Sequence, residues 1–155
     1  MTQEVTRQVE IVVGEAAHIE AIARFQVAMA LESEGTALDP EVVHRGVSAA
    51  MADKNRGTYL VALRDGEPLG SLMLTREWSD WHNRWYWWIQ SVYVVPEHRR
   101  QGIYKALYEQ VLKLANAEGI TQVRLYVDKQ NHTAQRVYQR LGMAESTYAM
   151  YELEA

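Results

Sequence analysis

Residues 92–104 read Val-Tyr-Val-Val-Pro-Glu-His-Arg-Arg-Gln-Gly-Ile-Tyr, which changes from strand composition to helix composition within a few positions. The first four residues favour a strand, and Pro96 ends it. A helix that begins near Gly102 has unpaired backbone N–H groups and a partial positive charge in its first turn. Gly102 permits close approach of a ligand, and Arg99 and Arg100 add charge. This turn is a candidate pyrophosphate site, with a plain turn bearing solvated arginines as the alternative.

The patterns on either side of this turn predict an α/β (α+β) chain. The predicted strands cover residues 9–13, 58–63, 68–74, 85–95, 123–127 and 147–153, and the predicted helices cover residues 18–33, 39–53, 102–118 and 131–141. The early hairpin and the later strand–helix–strand units together predict a mixed central sheet flanked by about four helices. Ligands of such sheets bind at the carboxyl ends of the parallel strands, which is where the segment after Val94 lies.

Composition narrows the class of protein. The chain has 155 residues, a length that suits one domain over residues 1–155. It has no Cys, which excludes a disulfide framework, thiolate metal sites and a Cys nucleophile. The net charge of −4 argues against a nucleic-acid partner. The first ten residues do not resemble a signal peptide and no apolar run is long enough to cross a membrane, so we expect a cytoplasmic protein.

Two motifs resemble the GNAT superfamily of N-acetyltransferases. The first is Pro96-Glu97 followed by Arg99 and Gly102 in the pattern Arg/Gln-x-x-Gly-x-Gly/Ala. Tyr104 departs from its last position, and Arg100 lies where Gly is common, so the Tyr104 side chain must point away from the phosphates or stack on the ligand. The second motif combines Asn131, Ala134, Tyr138 and Gly142. With the order of elements, the resemblance covers nearly the whole chain and implies the three-layer GNAT-like fold.

The resemblance implies acetyl-CoA as co-substrate and direct attack of an acceptor amine on the thioester. It implies that backbone groups of Val92 and Val94 pair with the pantetheine arm as an added strand does, and that an N–H of Tyr93 or Val94 faces the thioester oxygen. The implied CoA-binding residues are Val92, Tyr93, Val94, Arg99, Arg100, Gln101, Gly102, Ile103, Tyr104, Asn131, Ala134 and Tyr138. Tyr138 is also the implied general acid, with packing on a short helix as the alternative. Asn131 is equally suited to capping a helix.

The general base is a separate question. Many relatives use a Glu on the central strands, but this sequence has Gln90 there, and an amide is no base. Glu77 is our first candidate, ahead of Asp80 and His82, and a solvated loop position is the alternative for each. His98 has suitable chemistry but lies at the phosphate end of the expected site. No metal site is expected.

All five Trp residues lie between positions 78 and 88. On a strand, Trp85 and Trp87 share one face, and Tyr86 and Trp88 share the other. The cluster suits core packing, a dimer interface, or an acceptor pocket whose aromatic faces hold a cationic amine.

The leading hypothesis is an N-acetyltransferase that acts on a small-molecule or peptide amine. The alternatives are a non-catalytic acyl-CoA-binding or sensing module on the same fold and a nucleotide-binding protein of another α/β class. The last would need a Gly-rich loop after the first strand, which Val13-Gly14-Glu15-Ala16 does not supply. Because homodimers are common among GNAT proteins, a second copy of the chain is also considered as a partner.

Overall fold

The computed structural model describes residues 8–155, and these divide into a first compact unit that ends at Leu125 and a second that spans Tyr126–Ala155. Most of the first ten residues, where the sequence shows no resemblance to a signal peptide, lie outside this range. The strands are β1 (Glu10–Val13), β2 (Thr58–Arg64), β3 (Glu67–Ser79), β4 (Arg84–Val94) and β5 (Val123–Arg124). The helices are α1 (Ile19–Glu34), α2 (Pro40–Ala52), α3 (Ile103–Ala117) and, in the second unit, α4 (His132–Arg140).

Local chemistry sets several of these boundaries. The Asp39 carboxylate accepts a hydrogen bond from the Glu41 N–H at 2.9 Å, and Pro40 occupies the first helical position of α2. The tight turn between β2 and β3 has Asp65 and Gly66 at φ 51° and 78°, a conformation typical of Asp-Gly hairpins. These caps and turns confirm the corresponding sequence predictions.

The sheet has the strand order β1-β2-β3-β4-β5. The first four strands are antiparallel neighbours, and β5 lies parallel to β4. The sheet is therefore mixed, as the order of elements predicts.

Each face of this sheet is covered by different helices. On one face, Leu60, Leu74 and Ile89 pack in a cluster with Leu107 and Val111 of α3. On the other face, side chains of β2 pack against α1 and α2, and Tyr93 of β4 packs against Phe25 of α1. The first unit therefore has three layers, α1 with α2, the sheet, and α3.

Strand β4 changes its pattern part of the way along. Trp87 and Ile89 face α3, and beyond Ser91 it is Val92 and Val94 that face α3. Ser91 has φ 56°, and the register between β3 and β4 shifts between Ser71 and Met73. One extra residue in β4 accounts for both observations, which are those of a β-bulge.

Three strand predictions need correction. Strand β3 continues to Ser79 because its polar second half pairs with β4 as far as Arg84. Strand β5 has only two residues, since its pairing with β4 ends there. The predicted strand at residues 147–153 is wrong, because these residues form no ladder with any described residue, and Tyr151 in this segment is 93% exposed.

Candidate active site

The turn after β4 has the backbone of an anion site. A short 3₁₀ turn at Pro96–His98 follows the strand, then Arg100 and Gly102 adopt left-handed conformations at φ 62° and 82°. The α3 hydrogen-bond ladder begins where the Ala106 N–H donates to Gly102 O at 3.0 Å. The N–H groups at the start of α3 precede that ladder and are directed toward the turn. Together with the alternating backbone conformations, they form a concave surface suited to phosphate oxygens.

The left-handed conformation of Arg100 explains the sequence pattern at this position. A residue with a Cβ is less stable at positive φ, by about 1–2 kcal/mol, than glycine is. Glycine has no Cβ and therefore has no such penalty. Arg100 keeps the backbone geometry and adds an exposed positive charge beside the turn.

Arg99 is held by groups of the protein. Its Nε donates to Val94 O at 2.9 Å, and its two terminal nitrogens donate to the two carboxylate oxygens of Glu32 in α1. Its guanidinium also lies 5.4 Å from the centre of the Tyr93 ring. The hydrogen bond from Arg99 lowers the pKa of the Glu32 carboxyl, and burial raises the pKa of the Tyr93 phenol. Nothing in the sequence indicated Glu32, because its partner is 67 positions away.

The remaining side chains of the turn have structural contacts. Ile103 is buried in the cluster on the α3 face, and Tyr104 packs against that cluster, where burial raises the pKa of its phenol. The Tyr104 side chain therefore packs against the core, one of the two orientations considered from the sequence. The Gln101 side chain accepts a hydrogen bond from Arg64 at 3.1 Å. Any ligand at this turn would be held chiefly by backbone N–H groups.

A gap between strands lies beside the turn. Strand β5 pairs with β4 only at Trp87↔Val123 and Trp88↔Arg124. Among the described residues, the part of β4 from Ile89 to Val94 has no register partner on that side. A parallel pair that separates in this way leaves backbone donors and acceptors along one edge of β4, and an extended ligand can pair with them as an added strand does.

Glu77 lies in a polar and aromatic cluster on the sheet face opposite to α3. Its carboxylate accepts hydrogen bonds from Trp88 Nε1 at 2.9 Å and from Arg124 Nη1 at 3.2 Å. The Arg124 guanidinium lies 4.8 Å from the centre of the Tyr86 ring. Each oxygen of the expected base therefore already has a donor. Sequence patterns could not indicate Arg124, which reaches Glu77 only because β5 lies beside β4.

The other base candidates lie near this cluster or at the end of the hairpin. Gln90 donates to Thr75 Oγ1 at 3.0 Å. The His82 Nδ1 atom lies 2.8 Å from the Tyr86 hydroxyl and 3.2 Å from Ser79 Oγ. Asp80 is exposed in the turn between β3 and β4. His98 lies in the 3₁₀ turn, and its buried Nδ1 has no hydrogen-bond partner among the described residues.

The tryptophans divide by position. Trp87 is buried in the α3-side core, and Trp88 is hydrogen-bonded to Glu77 on the opposite face, as strand alternation predicts. Trp78 and Trp85 form an edge-to-face pair with ring centres 5.0 Å apart, and Trp81 is 86% exposed. Core packing therefore explains Trp87 alone.

The second unit contains the downstream motif. Asn131 Oδ1 accepts the Ala134 N–H at 3.1 Å and so caps α4, as its residue type predicts. Ala134 and Tyr138 lie one turn apart on the same, partly buried face of α4. Two further observations apply to residues 8–155 alone. They contain no group of three or more His, Cys, Asp or Glu placed to hold a metal ion, and no helix long and apolar enough to cross a membrane.

The fold is that of acetyltransferases. A solved structure from Clostridium difficile 630, described as a possible acetyltransferase, has a TM-score of 0.90 and 39% identity over 96% of this chain and 98% of its own. Ribosomal-protein-alanine N-acetyltransferase from Brucella melitensis shares the fold with a TM-score of 0.78, at 16% identity over 95% of this chain and 99% of its own.

Sequence comparison identifies the family. The sequence model of the Acetyltransferase (GNAT) family matches residues 20–143, and the chain belongs to this family. Thialysine N-epsilon-acetyltransferase of Sus scrofa is 35% identical over 54% of this chain and 52% of its own length. Aminoalkylphosphonate N-acetyltransferase of Salmonella typhimurium is 30% identical over 72% of this chain and 71% of its own length. The chain spans about half the length of the thialysine relatives. Membership of this family excludes the interpretation as a nucleotide-binding protein of another class.

Proposed function

We propose that the chain is an acetyl-CoA-dependent N-acetyltransferase that acts on a primary amine of a small molecule or peptide, with residues 1–155 as one domain. The separation of β4 from β5 directly beside the turn at residues 99–104 carries this proposal. An open strand edge that leads to a phosphate-binding turn matches a donor that has an amide-containing arm and a pyrophosphate.

On the donor side, the backbone of Val92 and Val94 pairs with the pantetheine arm. The N–H of Tyr93 or Val94 donates to the thioester oxygen and stabilises the negative charge that develops there during attack. The pyrophosphate binds the N–H groups at the start of α3, and Arg100 supplies charge. This arrangement requires the backbone conformation of the turn more than its side chains.

The reaction begins when the acceptor ammonium loses a proton to Glu77 or to water. The amine nitrogen then attacks the carbonyl carbon, the C–N bond forms, and the C–S bond breaks. The nitrogen gives a second proton to water, which leaves the neutral amide. Sulfur leaves as a thiolate, which takes a proton from the Tyr138 phenol, and the phenolate is reprotonated from solvent. A phenol has a pKa of about 10 and a thiol about 8.5, so proton transfer from the phenol to the thiolate is unfavourable by about 1.5 pKa units, and its effect on rate is modest.

The acceptor binds on the polar and aromatic face that contains Glu77, Tyr86 and Trp88. Ring faces and a carboxylate favour a cationic amine over an acidic substrate. The curated relatives named above are N-acetyltransferases of thialysine and aminoalkylphosphonate, which both contain amines. To act as general base, Glu77 must give up one of its two hydrogen bonds, from Trp88 or Arg124, and accept one from the substrate amine instead.

The test combines calorimetric binding of acetyl-CoA with release of free CoA in the presence of an amine panel. The panel contains thialysine, an aminoalkylphosphonate, a lysine-terminated peptide, and neutral and acidic amines. Binding together with amine-dependent CoA release supports the enzyme, and comparable turnover of all acceptors argues against the cationic pocket. Binding without release by any amine supports the non-catalytic module, which the occupied oxygens of Glu77 favour. Absence of binding refutes both.

A further inference from the structure

The contacts of Arg99 connect the donor turn to α1. Phe25 of α1 packs against Tyr93 with ring centres 5.4 Å apart, and Tyr93 in turn lies under the Arg99 guanidinium. Arg99 then returns to α1 through Glu32, which lies two turns beyond Phe25 on the same helix face. Helix α1 and the end of β4 are therefore joined at two points on either side of one aromatic ring.

The contacts of the Arg99 guanidinium leave few of its N–H donors available to a ligand. Of its five N–H donors, one points to Val94 O and two point to the Glu32 carboxylate. A two-point guanidinium–carboxylate pair is directional and has the same geometry that Arg uses to bind phosphate. A phosphate that took the same donors would have to displace Glu32.

We propose that Glu32 is a positioning residue that fixes Arg99 as a structural brace, so that the turn at residues 99–104 presents its backbone N–H groups to the donor pyrophosphate. Arg99 in this role is not a phosphate ligand, in contrast to the role implied by the family resemblance. The proposal rests on the proposed function for the identity of the ligand.

The experiment compares Glu32→Gln, Arg99→Gln and the double variant, with Glu34→Gln as a matched control near the same end of α1. Because the pair is partly exposed, each single change should raise the Kd of acetyl-CoA about two- to fivefold, and the double variant should bind no more weakly than the weaker single variant. The control should bind like wild type. Acetyl-pantetheine, which lacks the pyrophosphate, should bind equally to all variants.

Opposite results overturn the proposal. If Arg99 contacts phosphate, Arg99→Gln should weaken binding by more than about tenfold, while Glu32→Gln frees the guanidinium and leaves affinity unchanged or improves it. A loss that persists with acetyl-pantetheine would place the effect at β4 and not at the turn. If wild type binds no acetyl-CoA, the proposed function fails, and the brace is then tested by thermal unfolding of wild type, the two single variants and the double variant. Additive losses in Tm for the two single changes would disprove it.

Discussion

Replacement of Gly102 by alanine tests the backbone requirement of the turn separately from its charges. Gly102 has φ 82°, and a Cβ built on it meets no heavy atom within 4 Å, so the substitution introduces no collision. The remaining cost is that of a left-handed conformation for a residue with a Cβ, about 1–2 kcal/mol.

That cost appears in one of two measurable quantities. If the turn keeps its conformation, the free energy of unfolding falls by this amount. If the turn relaxes to negative φ, its N–H groups rotate away from the ligand, and the Kd of acetyl-CoA rises about five- to thirtyfold. We expect the second outcome to dominate, because Arg100, Gln101 and Gly102 are exposed and can change conformation while Ile103 stays buried in the core. Calorimetric titration gives the Kd, and urea unfolding gives the stability.

Gly119 provides the control at the other end of α3, roughly 25 Å away along the helix. It has φ 72°, and a Cβ there also meets nothing within 4 Å. Gly119→Ala should lower stability and leave the Kd unchanged, while Gly102→Asn should be milder than Gly102→Ala because Asn tolerates this conformation. Wild-type affinity and stability in Gly102→Ala, or an equal rise in Kd in Gly119→Ala, would refute the reasoning.

Three further changes test other parts of the molecule. Tyr138→Phe should slow turnover toward the low end of the roughly 10²–10⁴-fold typical of acid–base catalysis, with the Kd of acetyl-CoA near normal, and an unchanged rate would remove the acid role. Gly70→Ala should lower the free energy of unfolding by about 1–3 kcal/mol, because its Cβ would lie 2.7 Å from the backbone oxygen of Tyr93, and unchanged urea unfolding would contradict this close approach. The Glu32–Arg99 pair should stabilise the fold at pH values above 4.5, the ordinary pKa of Glu. This contribution should be lost as the pH falls through the lowered pKa of Glu32. The difference in Tm between wild type and Glu32→Gln should therefore shrink below that pH, and a constant difference would disprove the pairing.

The sequence predicted correctly those helix starts, turns and strand ends that depend on neighbouring residues alone. A helix begins at Asp39-Pro40, a hairpin turns at Asp65-Gly66, and β4 ends before Pro96, each as the residue types predict. The alternation of the tryptophans on β4 followed for the same reason. The candidate donor turn could be located because strand, proline and glycine occur together there.

Features that depend on distant residues were not predicted. The pairing of Glu32 with Arg99 and of Glu77 with Arg124 arises only when separate elements pack together. The strand predicted at 147–153 had suitable composition, but a strand also requires a partner, which composition does not encode. The positive φ of Ser91 has no signal in its residue type either.

The bulge at Ser91 makes β4 two strands with opposite phase. Deletion of this one residue would leave a continuous strand, but every later side chain of β4 would then point to the opposite face of the sheet. Tyr93 would then enter the layer under α3, and Val94 would turn toward α1, away from the cluster that it shares with Leu107. The number of residues that separates the aromatic part of β4 (residues 84–90) from the part after the bulge (residues 92–94) is therefore as important as which residues these are. Under the proposed function, sequence changes at residues 84–90 are expected to alter acceptor preference without moving residues 92–94, provided that they preserve this number.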